Sequence, residues 1–319
     1  MIRYLLGGLL VLVLCVVVGG LNILRLTHQQ IDELNPEPAP YREIQASARV
    51  AGLPVKIEWL AVASQPVPRS LVLDAAHDPA PTSPFVLAFP AFVVTWADGR
   101  RFVIDAGPSR QEADTMGEGL ALLGGAQPLT YHRSLGTTID PASIRGMGFT
   151  HLHNDHTSGA AELCAAGASL TLYQTVEQFN LLNYLTFQGA DELAGMGCAV
   201  RMLLALQQTA LRDIQGFPGL YVMYVAGHTP GSQVFVVHVR GRQGVQTYLI
   251  AGDIANHGAA IDLDISKPSW YSRWLVPENL EQLAQLRRWL QAMAARPGIR
   301  VLLSHDLQRL QDSGVSELP

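Results

Sequence analysis

His151-Leu152-His153-Asn154-Asp155-His156 puts four potential metal ligands within six residues, with the spacing H-x-H-x-D-H. In an extended segment, side chains two apart point the same way, so His151 and His153 can grip one ion together. Asp155 and His156 then fall where a turn or helix starts, aimed at a second ion beside the first. A lone pair of His at this spacing would more often be incidental. Four such groups packed this densely point to a metal site, because each costs stability if buried without a partner.

The rest of the chain supplies what the cluster still needs. Gly227-His228-Thr229-Pro230-Gly231 follows the apolar run Leu220 to Ala226. Ala251-Gly252-Asp253 follows Thr247 to Ile250, Ser304-His305-Asp306 follows Ile299 to Leu303, and the first cluster follows Met147 to Thr150. Four strand-like runs therefore end at a candidate ligand. Taken singly, each is an ordinary core or loop residue; taken together, they predict a two-metal site. Upstream, Phe92 to Trp96, the turn Ala97-Asp98-Gly99-Arg100, and Arg101 to Gly107 read as a hairpin ending in Asp105-Ala106-Gly107.

This order of motifs resembles the metallo-β-lactamase superfamily of metal-dependent hydrolases, over roughly residues 85 to 306. The resemblance implies an α/β fold, a four-layer αββα sandwich. Position by position, it implies that His151, His153 and His228 hold one divalent ion. Asp155, His156 and His305 hold a second, and Asp253 bridges the two. Zn is the first expectation, with Mn or Fe also suited to imidazole and carboxylate ligands. Two such ions sharing a water would supply a bridging hydroxide nucleophile, which Asp155 is placed to orient before passing a proton to the leaving group. His at position 153, where flavodiiron proteins carry Glu, argues against a di-iron redox centre. The full ligand set argues against true β-lactamases. It is similar to lactonases, thioesterases and phosphodiesterases, with N-acyl homoserine lactonases nearest in layout. Ser232 stands where many members carry a further His.

The expected substrate is a small molecule, a lactone or related carboxylic ester. A phosphodiesterase or thioesterase on the same ligands is the alternative, and a non-hydrolytic metal or redox protein is a third reading. With 22 Lys+Arg against 27 Asp+Glu, the chain shows no footprint for nucleic acid. No Lys/Arg cluster near the C-terminus suggests a glutathione pocket, and no G-x-S-x-G motif suggests a serine hydrolase. Tyr184, Tyr248 and Tyr271 are candidates to stabilise an oxyanion. His28, His77, His132, His238 and His257 read as surface, loop or packing residues.

Tyr4 to Leu24 carries no charge and is long enough to cross a bilayer as a helix. Gly19-Gly20 makes a poor cleavage site, so the segment reads as an uncleaved single-pass anchor with the domain outside the cytoplasm. The expected division is an anchor over residues 1–26, a Pro-rich linker over 27–45, and a hydrolase domain over 46–319. Cys164 and Cys198 read as buried free thiols rather than a pair. Residues 110–124, 158–166 and 277–295 read as helices. In the last, Leu280, Leu283, Leu290 and Met293 form one face. Residues 174–216, with Phe179, Phe187, Met202, Leu203, Leu204 and Leu206, read as an apolar helical segment. It fits core packing first, and a wall for an apolar or acylated substrate second.

Overall fold

A computed structural model describes residues 2–205, 209–242 and 244–319. Two mixed sheets stack face to face. The first comprises β1 (Lys56–Pro68), β2 (Pro84–Thr95), β3 (Arg101–Ile104), β4 (Thr130–Tyr131), β5 (Ile144–Gly148), β6 (Leu170–Thr175), β7 (Ala199–Leu204) and β13 (Ser316–Glu317). The second comprises β8 (Leu211–Asp213), β9 (Leu220–Tyr224), β10 (Gln233–Gly241), β11 (Gly244–Ile250) and β12 (Ile299–Leu302). Their orders are β13-β1-β2-β3-β5-β6-β7, with β4 beside β1, and β12-β11-β10-β9-β8.

Side-chain alternation explains the layers. In β2, Phe92 and Val94 join a core that includes Phe235, Val237 and Ile250 of the second sheet. Ala91 and Val93 face the opposite way, into a cluster with Leu163 and Leu193 of the helices Ala160–Ala165 and Phe187–Ala194. Val234 and Val236 face a third cluster containing Leu283, Leu286 and Leu290 of the helix Leu280–Ala294. Helices thus cover both outer faces, and the central strands are apolar throughout because both of their faces are buried. The fold is the αββα sandwich that the sequence implies.

Several local expectations change. The strand expected from Phe92 is the second half of a longer strand, β2, which starts at Pro84 and runs through Pro90. Pro90 lies opposite Ala61 where β1 shifts register, so a bulge at Val62 absorbs the residue that cannot donate. Residues 199–204 form the edge strand β7, paired in parallel with β6, instead of continuing a helix. Leu206, read into the same helical segment, lies outside the described residues. The helix Leu280–Ala294 starts at an Asn279 cap, whose side chain accepts from Gln282 N at 2.9 Å. Its buried face runs through Leu283, Leu286, Leu290 and Met293, while Leu280 is exposed. Cys164 and Cys198 form a disulfide, correcting the free-thiol reading. Their spacing in sequence hides the reason: β6 and β7 lie side by side, which brings the residue before β7 to 5.3 Å, Cα to Cα, from the helix before β6.

The N-terminal helix runs over Ile2–Asp32, and its part from Gly8 to Asp32 is long and apolar enough to cross a membrane. Beyond it, Ala39 is buried and its carbonyl accepts from Trp289 Nε1 at 2.9 Å. A short helix, Tyr41–Ser47, then leads into β1.

Candidate metal centre

β9 and β11 both pair antiparallel with β10, and β12 runs parallel to β11, so the three strands point the same way. His228, Asp253 and His305 follow them at one edge of the second sheet. β5 delivers His151 to the same place from the first sheet. Gln233 closes the joint: its backbone N donates to Thr150 O at 2.8 Å, and its amide donates to Phe149 O at 2.7 Å. Ser232 closes the turn after His228, its Oγ accepting from Thr229 N at 2.9 Å.

All seven donor residues singled out in the sequence meet here, in three overlapping groups. These are His151 with His153 and His228; His151 with Asp155 and His156; and His156 with Asp253 and His305. His151 Nε2, His153 Nδ1 and His228 Nε2 lie 3.1–3.2 Å apart. An imidazole nitrogen either donates or accepts, so three in mutual contact cannot all be satisfied by hydrogen bonds. One ion with bonds of about 2.0–2.1 Å would satisfy all three. His305 Nε2 is 2.9 Å from Asp253 Oδ2 and 3.5 Å from Asp155 Oδ2, and His156 Nε2 is 3.4 Å from Asp253 Oδ1. His156 Nε2 and Asp253 Oδ1 are buried without a hydrogen-bond partner. The donor set therefore fits divalent cations.

The outer ring nitrogens are held from behind. His228 Nδ1 lies 2.6 Å from Glu278 Oε1, His156 Nδ1 2.9 Å from Asp105 Oδ2, and His305 Nδ1 2.7 Å from the Ala88 carbonyl oxygen. Donating Nδ1–H to these acceptors turns each Nε2 lone pair inward. Asp105 also accepts from Thr150 N at 2.7 Å and Thr150 Oγ1 at 2.8 Å. It does so from a left-handed conformation, φ 59°, which Asp tolerates better than most residues. Glu278 in turn accepts from Lys267 Nζ at 2.6 Å and Ser272 Oγ at 2.5 Å. The left-handed Gly252 (φ +54°) packs against Thr150, where an added Cβ would lie 2.8 Å from the Thr Cβ.

Electrostatics follow from burial and these contacts. Burial pushes His151 and His153 well below the usual imidazole range, leaving neutral rings. Burial and the Lys267 ammonium lower His228 against the pull of Glu278. Burial opposes charge on His156 and His305 too, but nearby carboxylates, Asp155 and Asp253 among them, outweigh it and raise both. Burial opposes ionisation of Asp253, yet His305, His151 and His156 hold it well below the carboxylate range. Where carboxylates draw protons onto imidazoles, a divalent cation can take the protons' place.

A cavity of about 330 Å³ opens onto the donors, lined by His153, Asp155, Asp253 and His305 on one side and by Leu87, Phe89, Met116, Leu185, Leu275 and Val276 on others. Tyr271 lines it. Tyr248 belongs to the core between the sheets, and Tyr184 is not among the lining residues. His257 caps the helix Gly258–Asp262 and contacts Arg69 Nη1 at 2.7 Å. His238 is buried between Ser47 and Thr247, His132 bonds Ser64, and His77 bonds Asp74. Sequence reasoning missed Glu278 and Lys267. Glu278 reads as an ordinary acid at a helix start, and nothing in the sequence marks Lys267 as buried. Asp105 was legible only as part of the D-x-G that ends the hairpin.

A family model for the metallo-beta-lactamase superfamily matches residues 90–305. No curated protein sequence matches the chain. Among solved structures, the fold is similar to a B. thuringiensis AiiA mutant with N-decanoyl-L-homoserine bound at the active site. Identity is 14% and the TM-score 0.58, with 82% of this chain and 98% of that one covered. It is also similar to an N-acyl homoserine lactone hydrolase holding its product N-hexanoyl-L-homoserine at the catalytic metal centre, at 14% identity and TM-score 0.57, covering 82% and 98%. A probable metal-dependent hydrolase from Staphylococcus aureus follows at 12% identity and TM-score 0.53, covering 81% and 91%. The family match takes in most of the chain and all seven donors, and the chain belongs to the metallo-beta-lactamase superfamily of metal-dependent hydrolases.

Proposed function

We propose that the protein is a membrane-anchored dinuclear metallohydrolase that opens a lactone or cleaves a related carboxylic ester bearing an apolar acyl group. The observation that carries this reading is the cavity. Donor residues meet apolar walls there, and neither Lys nor Arg is among its lining residues. A phosphodiester brings a fixed negative charge that such walls do not match. An acyl chain gains roughly 25 cal/mol for each Å² it buries against them. Two solved structures of the same fold hold N-acyl homoserines, which supports the choice by analogy.

In this reading His151, His153 and His228 hold one ion, Asp155, His156 and His305 the second, and Asp253 bridges them. Zn is preferred, with Mn or Fe compatible with the same donors. When bound, such ions acidify a water toward neutral pH and polarise a carbonyl oxygen. Asp155 orients the water and returns a proton to the leaving alkoxide. Tyr271 donates its O–H to the carbonyl oxygen as charge develops. Burial, with Glu278, Asp253 and Asp155 nearby, holds that phenol protonated. Residues 1–26 form the anchor, 27–45 the connection and 46–319 the hydrolase domain. The Cys164–Cys198 disulfide supports an extracytoplasmic domain, since oxidising compartments preserve such bonds.

The test is proton release from acyl lactones by the full-length, Zn-loaded protein in detergent micelles, beside a bis-aryl phosphodiester. We expect lactone turnover, reduced about a hundredfold or more in Asp253→Asn. Phosphodiester turnover alone would replace the ester reading. Full activity in Asp253→Asn would reject the bridged pair.

A further inference from the structure

The last turns of the helix Ile2–Asp32 pack onto the catalytic domain. Thr27 and Ile31 are buried. His28 Nε2 lies 3.0 Å from the Arg273 carbonyl oxygen, and Gln30 donates to the Leu182 carbonyl at 3.1 Å. These contacts fix how far the domain stands from any membrane the helix crosses. At about 1.5 Å per residue, Tyr4 to Leu24 spans roughly 30 Å, the thickness of a bilayer's hydrocarbon core. His28 stands four residues past Leu24, about 6 Å further along the axis. The headgroup layer is roughly 5–8 Å deep on each side. The Arg273 backbone is therefore held at headgroup depth, and tilting the helix only brings it closer.

The surface around that point is aromatic. Trp274, next to Arg273, is 55% exposed and Trp270 43%, and Tyr184, two residues past the Leu182 that Gln30 meets, is 39% exposed. In water such exposure is a cost. At a membrane interface it is favourable, because these rings have an apolar body and Trp and Tyr a polar tip. The same segment forms one lip of the cavity, through Trp270, Leu275 and Val276.

We propose that this aromatic rim is seated in the headgroup layer of the bilayer crossed by Tyr4 to Leu24, so that the cavity opens toward the leaflet and takes an amphiphilic ester directly from it. The ester rests on the hydrolase part of the reading above, and the seating on its membrane anchor. A lipid surface is the occupant rather than a protein partner, because the rim is continuous with the docked end of the span.

The test uses the full-length protein in phosphatidylcholine vesicles whose acyl chains are brominated near the headgroup. Trp59 and Trp96 are buried and Trp289 packs on the core, so quenching reports on Trp270 and Trp274. We expect brominated lipid to remove roughly a third of the emission, and Trp270→Phe with Trp274→Phe to abolish that loss. Equal emission in both lipids, with the protein resisting alkaline extraction, would put the rim in water or against a protein and overturn the proposal. Release by alkaline extraction would remove the span and overturn it too. Trp274→Ser should also lower, about tenfold, the ratio of kcat/KM for a vesicle-held long-chain ester to that for a soluble short-chain one. An unchanged ratio would count against uptake from the leaflet. Quenching intact with neither ester hydrolysed would uphold the seating and sink the ester reading.

Discussion

His228 is held from behind by a buried chain of charges. Glu278 Oε1 lies 2.6 Å from both His228 Nδ1 and Lys267 Nζ, and Lys267 also donates to the Asp253 carbonyl at 2.8 Å. Burial alone would raise the Glu278 pKa, but Lys267 and His228 hold it below the usual carboxylate range. Glu278→Gln keeps the shape and removes the charge that orients the ring. We expect metal affinity to fall about 10–100-fold, measured by competition with a chelating dye, with circular dichroism confirming the fold. Unchanged affinity would reduce Glu278 to a packing residue. At this scale the sequence revealed what has intrinsic chemistry. Imidazoles and carboxylates at strand ends are unusual enough to be noticed. Glu278, Lys267 and Asp105 acquire their roles only through neighbours distant in sequence, so no local pattern announces them.

Among the elements, β2 was the most legible, because it is buried on both faces along most of its length and reads as a near-continuous apolar run. β7 was not. At a sheet edge it leaves Val200 and Leu203 exposed, and its Met and Leu side chains suit a helix equally well; pairing with β6 decides the matter. The same pairing explains the misread cysteines. Their bond fastens the helix after the metal-binding loop to the segment before β7. Replacing both with Ser should cost about 2–4 kcal/mol of stability, seen as a lower midpoint in thermal unfolding. Wild type under a reductant should show the same shift. A variant melting like oxidised wild type would show that the bond constrains nothing the fold does not already hold.

Across the molecule, the segment before β1 is strapped to the second sheet. His238 of β10, fully buried, bonds Ser47 Oγ at 2.8 Å and Thr247 Oγ1 at 2.9 Å. Burial pushes its pKa from 6.5 down to about 4. The unfolded chain protonates His238 below about pH 6.5, whereas the folded chain resists until about 4. Its contribution is thus complete above pH 6.5 and drains away as pH falls toward 4, by roughly 3 kcal/mol in all. His238→Gln should flatten that part of the stability profile, measured by denaturant unfolding in detergent between pH 7 and pH 4; parallel profiles would reject it. The donor residues have another consequence at this scale. His151 follows a strand of one sheet and His305 a strand of the other, and the donors between them come from both. No contiguous piece of chain gathers the full set, so the complete centre exists only once the sandwich has closed. Imidazole and carboxylate discriminate poorly among first-row metals. Which ion fills the centre is therefore decided by where the chain finishes folding, and by what that compartment then has in supply.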